Sequence, residues 1–320
     1  MIELIATQGL LYALGGSIAY ASTIAYLPQW FPTRRGLAFG IMWSATGLSG
    51  VLLPLLLQRL LAAYGHATTL RIIAGIFFAM TAPLAWFVRP RVPVSLSTTG
   101  SAGRRARPWA ELSWVVRRPF VGYQVWNVVQ AVGFFLPGVY LPSFARGVLG
   151  VGEWAAVGGV MLVNVASVFG CVGMGQMVDR LEVTTCLLVS AAGAAVGTVL
   201  LWGMAVDLAV LYVFCVVYGL FAGAYTSAWP GIMNDVTRRG LGEESGKSVD
   251  SSMVFAFLAM GRGVGNVVSG PLSEVLIKDM PWKGEAFGGY GSGYGGLIAF
   301  TGVTAALGGG SFLWKRLGWL

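Results

Sequence analysis

Thr33-Arg34-Arg35-Gly36-Leu37 recurs letter for letter as Thr237-Arg238-Arg239-Gly240-Leu241, and each copy lies between two long apolar runs. Leu11-Tyr12-Ala13-Leu14 precedes the first copy and Pro54-Leu55 follows it. Val217-Tyr218-Gly219-Leu220 precedes the second and Pro271-Leu272 follows it. Five shared letters alone are weak evidence. The same order of apolar run, basic loop, apolar run and late Pro-Leu reads as an internal duplication. The chain is therefore expected to contain two related halves.

Composition decides what surrounds them. Of the 320 residues 56% are hydrophobic and only 11% are charged, whereas a soluble domain carries roughly 25% charged residues. Spanning about 30 Å of hydrocarbon takes roughly 20 apolar residues of helix. Nine segments qualify, at approximately 8–30, 36–61, 69–88, 119–142, 155–177, 184–204, 208–232, 252–277 and 290–313. Runs of this length with little two-residue alternation do not suit a lipid-facing barrel. The expected class is all-α, a polytopic membrane protein of about nine transmembrane helices. The first segment has no basic leader and another span follows it at once, so it reads as a span and not a removable signal.

The charges orient the spans. With loops assigned alternately to two sides, fifteen of the 21 Lys and Arg fall on one side and five on the other. By the positive-inside rule the richer side is cytoplasmic, which puts the C-terminus inside and the N-terminus outside. The basic balance is thus a topology signal. A nucleic-acid footprint would need Lys and Arg gathered on one soluble surface, and no such cluster exists. Residues 89–118 are rich in Pro, Ser, Thr, Gly and Arg and read as a cytoplasmic linker. It separates a three-span part, 1–88, from a six-span part, 119–320.

Polar residues inside the spans mark candidate working positions. Tyr123, Asn127, Gln130 and Phe134 stand at i, i+4, i+7 and i+11, one stripe of a helix. Asn164 and Ser167 lie in 155–177, Tyr218, Tyr225, Thr226 and Ser227 in 208–232, and Tyr12, Ser17, Tyr20 and Thr23 in 8–30. For any one of these, interhelical bonding and solute contact both stay open; as a set, the stripe points to a cavity. Arg262 falls about ten residues into its span, near mid-bilayer at about 1.5 Å per residue. An Arg there costs roughly 2.5–3.5 kcal/mol on insertion scales, so it should face a wet cavity or a partner. With Asn266 and Ser269 it forms a second polar stripe, and its guanidinium fork suits a carboxylate. A structural ion pair is the other reading, yet no Asp or Glu occupies the middle of any span.

An enzyme is not expected. The single histidine, His66, has no second ligand or catalytic partner, and Cys171, Cys186 and Cys215 lie in separate spans as small apolar packers. No cofactor or metal is implied. The Gly/Tyr run 288–296 lacks a phosphate-loop lysine.

Local words then carry a resemblance. Trp30-Phe31-Pro32-Thr33-Arg34-Arg35-Gly36-Leu37-Ala38-Phe39-Gly40, Tyr140-Leu141-Pro142-Ser143-Phe144-Ala145 and Asn164-Val165-Ala166-Ser167-Val168-Phe169-Gly170 occur in order. Gly175-Gln176-Met177-Val178-Asp179-Arg180 and Arg262-Gly263-Val264-Gly265-Asn266 follow. Together they resemble the monocarboxylate-porter branch of the major facilitator superfamily, closest to its fungal permeases. The resemblance implies that the nine spans are that family's helices four to twelve, the first three being absent. It implies alternating access to a midplane site, a small organic anion or related metabolite as solute, and a plasma or vacuolar membrane. Solute contacts would come from Arg262, Asn266, Tyr123, Asn127, Gln130 and Asn164. Asp179 and Arg180 would gate by docking on the neighbouring half, with Arg34 and Arg35 as candidate partners; a carboxylate is favoured near a helix N-terminus and an opposite charge. Departures from the branch are that 155–177 carries no charge and that Cys171 stands where many fungal relatives have Arg. Proton coupling finds no support, since no titratable acid stands inside a span. The other function class weighed is a truncated, non-transporting paralogue or membrane scaffold; three apolar spans encoded upstream of Met1 would argue against it.

Overall fold

The computed structural model describes residues 5–91, 114–240 and 249–320. The body of the expected linker, 92–113, and residues 241–248 after the second basic repeat lie outside them. Among the described residues all regular structure is helical. Among the described residues eight stretches are long and apolar enough to cross a membrane, against nine expected. The difference arises in one element, Arg35–Phe87, which runs for 53 residues but holds Gly65 at φ +71° and ψ 176°. That backbone is open to glycine at little cost and ends regular helix locally. The lengths 35–64 and 66–87 on either side each exceed what about 30 Å of hydrocarbon requires. Two expected spans therefore lie within one continuous element.

The chain forms two compact units, Met1–Arg35 with Leu53–Ala106, and Gly36–Leu52 with Arg107–Leu320. The first unit contains α1 (Tyr12–Trp30) and the later part of α2 (Arg35–Phe87). Their ends are tied together: Trp30 Nε1 donates to the Arg89 carbonyl at 3.1 Å, and the Arg91 N–H donates to Gln29 Oε1 at 3.2 Å. Arg89 lies over the Trp86 ring at 5.2 Å and Arg91 over Trp30 at 5.9 Å. Trp and Arg at span ends are the side chains that suit a headgroup interface.

The second unit contains the start of α2, then α3 (Arg118–Phe134), α4 (Leu136–Gly147), α5 (Glu153–Val178), α6 (Val183–Val196) and α7 (Leu208–Phe221). After these come α8 (Trp229–Gly240), α9 (Ser251–Ile277), α10 (Gly295–Leu307) and α11 (Gly310–Arg316). Local sequence sets several starts. Asp207 accepts from the Val210 N–H at 2.8 Å to cap α7, and Asp250 accepts from the Ser252 N–H at 2.9 Å to cap α9. Pro119 sits in the first turn of α3, where its missing N–H costs nothing. α5 packs along α7, α9 and α10 flank α3, and α10 also touches α6. The core between them is aromatic: Trp202 stacks on Phe214 at 5.2 Å and meets Phe144 edge-on at 6.0 Å.

Three spans are interrupted. Arg118–Gly147 breaks at Phe135, Leu208–Arg239 loosens through Ala222–Ala224 into a tighter turn at Tyr225–Ala228, and Gly295–Arg316 breaks at Gly308–Gly309.

Candidate functional site

The start of α2 lies unusually close to α5 because small residues meet small residues. A Cβ on Gly40 would stand 2.5 Å from the Cys171 carbonyl oxygen and 3.1 Å from the Gly175 Cα, and one on Gly175 would run into the Gly36 carbonyl. Gly36-x-x-x-Gly40 is a small-residue stripe of the type that lets membrane helices approach closely. Two to three turns further along, Gly47 faces Ser167 and Gly50 faces the Asn164 side chain. This contact brings Trp43, Thr46 and Gly47 to the wall of a cavity of about 450 Å³.

The rest of the lining comes from two interrupted spans and from α5. Phe134, Phe135 and Gly138 enter from the α3–α4 break, Tyr218, Gly223 and Thr226 from the break after α7, and Asn164, Ser167 and Cys171 from α5. Arg262, from the middle of α9, is the charged residue of this lining. It is 92% buried, at 8% exposure. Its Nη1 donates to Gln130 Oε1 at 2.7 Å. Its Cζ lies 4.5 Å from the Phe134 ring centroid and 5.9 Å from that of Tyr225, both within cation–π range. Neither of the two ion pairs among the described residues involves it. A guanidinium carries five N–H donors, so a cation with spare donors borders a largely apolar space. That arrangement can bind an anion.

The sequence-selected residues separate by position. Arg262 and Asn164 line the cavity, and Gln130 sits behind Arg262. Asn127 is fully buried and its Nδ2 donates to the Leu258 carbonyl at 2.8 Å, joining α3 to α9. Tyr123 lies lower on the same stripe, where its hydroxyl donates to Asp235 Oδ2 at 2.9 Å. Asp235 in turn accepts from Arg239 Nε at 3.0 Å, so the second basic repeat is anchored within its own helix. Asn266 is one turn from Arg262, with a buried Oδ1 and no hydrogen-bond partner for it among the described residues. Asn164 donates to the Val160 carbonyl at 3.0 Å.

Asp179, at the end of α5, binds backbone. Its Oδ1 accepts from the Gly36 N–H at 2.7 Å and its Oδ2 from the Leu37 N–H at 2.9 Å. Two orphan donors at the first turn of α2 are thereby satisfied, and the charge meets the positive end of the helix dipole. Arg180 follows it, exposed. Close by, Lys315 Nζ donates to Glu182 Oε2. That hydrogen bond, and then the Lys315 charge, hold the Glu182 carboxyl below its ordinary range.

Trp43, Thr46, Phe135 and Cys171 line the cavity without having been selected from sequence. The legible signal for Trp43 and Thr46 is the glycine stripe that precedes them, since a close-packed helix face turns its next residues toward the neighbour's cavity.

The family model described as the Major Facilitator Superfamily matches residues 4–249, well over half of the chain. The chain belongs to the Major Facilitator Superfamily. Three similar members of that superfamily are fungal. It is 25% identical over 312 residues to "MFS transporter asaE" of Aspergillus flavus, a match covering 97% of this chain and 64% of that protein. It is 32% identical over 185 residues to "MFS-type transporter pytF" of Aspergillus terreus, covering 56% and 58% respectively. It is 25% identical over 232 residues to the "Fujikurins efflux protein" of Gibberella fujikuroi, covering 70% and 47%. The chain thus spans between about half and two-thirds of the length of these superfamily members.

Proposed function

We propose that this chain is part of a secondary transporter that moves a small organic anion by alternating access, with Arg262 as the group that meets the solute. The single observation carrying this reading is the chemistry of the cavity. One buried cation borders about 450 Å³ of mostly apolar space, oriented by a neutral amide and aromatic faces. An intramembrane cation is expensive to keep, and a solute anion would complete its donor set. Asn164 is a second contact on the wall, while Gln130 and Asn266 act from behind or beside Arg262. Tyr123 and Asn127 hold α3 against its neighbours and so fix the stripe on which Gln130 stands. Asp179 is proposed as the latch, through the first turn of α2.

Names of relatives support outward movement: one is an efflux protein for fujikurins. We take the same direction for this chain, export of a small metabolite. The resemblance of Asn164–Gly170 and Arg262–Asn266 to monocarboxylate-porter words agrees with an anionic solute. The test is transport of a panel of radiolabelled organic acids by the chain in proteoliposomes, beside Arg262→Ala and Arg262→Lys. Loss of acid transport in both variants, with unchanged gel-filtration profiles, is expected. Wild-type transport by either variant removes Arg262 from the solute path, and a wild-type chain that moves no acid overturns the organic-anion reading.

A further inference from the structure

Resting on that reading, the geometry around Arg262 says more about the solute than its charge. Gln130 accepts from Nη1 at 2.7 Å and is itself nearly fully buried. It orients the guanidinium without cancelling its charge, which a Glu at the same place would do. The charge is therefore left for whatever occupies the cavity. The walls within reach are rings: Trp43, Phe134, Phe135 and Tyr218, with Asn164 and Thr226 as neutral polar groups. Aromatic rings pack on other rings in offset or edge-to-face arrangements that add to simple burial. They also attract cations, but a ligand cation here would stand beside Arg262. A flat anion satisfies both features at once, its charge in the plane of the guanidinium and its ring against the wall.

We propose that the cavity selects anions conjugated to an aromatic ring over saturated anions of the same shape, and that Gln130 is the positioning residue that keeps the site selective for anions. Trp229 meets Trp43 edge-to-face at 6.0 Å and holds the Trp43 ring in place as part of that wall.

The test uses the purified full chain in detergent and equilibrium binding of radiolabelled 2-naphthoate. Its competitors are 2-naphthamide, which is neutral, and decalin-2-carboxylate, which is saturated. 2-Naphthamide should compete about 10- to 100-fold more weakly than 2-naphthoate, the worth of a hydrogen bond to a charged group. Decalin-2-carboxylate should compete about 2- to 10-fold more weakly, the range of an aromatic pair. Gln130→Glu, nearly isosteric, should erase the preference for acid over amide while leaving amide binding in place. A merely structural role for Gln130 would lower both together. If Gln130→Glu aggregates, Gln130→Met keeps the volume, and weaker acid binding with unchanged amide binding is then expected.

Equal competition by acid and amide overturns the anion site and the transport reading beneath it. Equal competition by naphthoate and its saturated counterpart overturns only the aromatic selectivity. Wild-type selectivity in the Gln130 variant overturns the role of Gln130, and absence of saturable 2-naphthoate binding overturns the proposal as a whole.

Discussion

Replacing Asp179 by Ala removes both side-chain hydrogen bonds at the first turn of α2. Its two carboxylate oxygens accept from Gly36 and Leu37 N–H at 2.7 and 2.9 Å. Hydrogen bonds to charged groups are worth about 1.5–3 kcal/mol each in protected settings. Asp179 is exposed, so water takes over the freed donors and most of that value is lost. Removal of a capping side chain costs about 0.5–2 kcal/mol; with two bonds going at once, the upper part of that range, about 1–2 kcal/mol, applies. Such a change multiplies the opened population about 5- to 30-fold. Arg34 and Arg35 directly precede the turn, so trypsin reads the opening. While reclosing outpaces cleavage, the rate of cutting follows the open population. In detergent-solubilised Asp179→Ala, initial cutting after Arg35 should therefore rise about 5- to 30-fold. Asp179→Asn keeps one accepting oxygen and should fall between variant and wild type. Cutting after Arg146, at the far end of α4, serves as the control and should not change. Wild-type rates at Arg35 in both variants would refute the capping argument.

Gly40→Leu forces a side chain toward the Cys171 carbonyl, where even a Cβ would stand 2.5 Å away; overpacking of this kind costs about 1–3 kcal/mol. Thermal aggregation in detergent should come at lower temperature than for Gly75→Leu, where a Cβ meets nothing within 4 Å, and equal behaviour would dismiss the close-approach argument. Glu182 has a folded-state pKa lowered by Lys315, so its contribution is present above the ordinary Glu value of about 4.3 and is lost as pH falls through the lowered one. Glu182→Gln should therefore melt earlier than wild type at pH 7, with the gap closing as pH falls through the lowered pKa; a gap unchanged in strong acid would show that the pair is not its source.

The helical membrane fold was open to sequence reading because it rests on run length and composition, which neither packing nor register can alter. The one departure, two spans inside Arg35–Phe87, turns on a single backbone conformation at Gly65, between Tyr64 and the lone histidine. No period or apolar count reports a φ angle. Arg262 was legible for an energetic reason, since a cation in mid-span demands an explanation from its cost alone. Its partner was half legible: Gln130 stood in a recognised stripe on another helix, but pairing across 132 positions depends on how α3 lies on α9. Stripe membership also does not fix partners. Tyr123 and Asn127 have the same helical phase as Gln130, yet they bond Asp235 and the Leu258 carbonyl. Phase fixes the direction a side chain faces; depth along the helix decides what it meets. Asp179 was legible as a charge beside a helix start, whereas its pairing with the Gly36 and Leu37 N–H groups depends on how closely α5 meets α2.

The interrupted spans explain why so many polar side chains gather here while so few remain for a solute. Within a bilayer every backbone carbonyl freed by a helix break needs a partner from the protein. Tyr218 donates to the Phe134 carbonyl at 2.8 Å, beside the break at Phe135. Ser190 donates to the Phe221 carbonyl at 2.8 Å, where α7 ends, and Tyr225 to the Gly308 carbonyl at 3.4 Å, at the break before α11. Three breaks are thus stitched by hydroxyls from neighbouring spans. Each stitch spends the donor of a side chain that composition alone would count as available, and each break turns ring faces such as Phe134 and Phe135 into the cavity wall. The guanidinium of Arg262 is different in kind. It has more donors than its single bond to Gln130 uses, and a charge that an amide cannot neutralise. The breaks therefore supply the apolar walls, the hydroxyls keep those breaks stable, and the proposed recognition of a solute rests on Arg262, the charged residue of that lining.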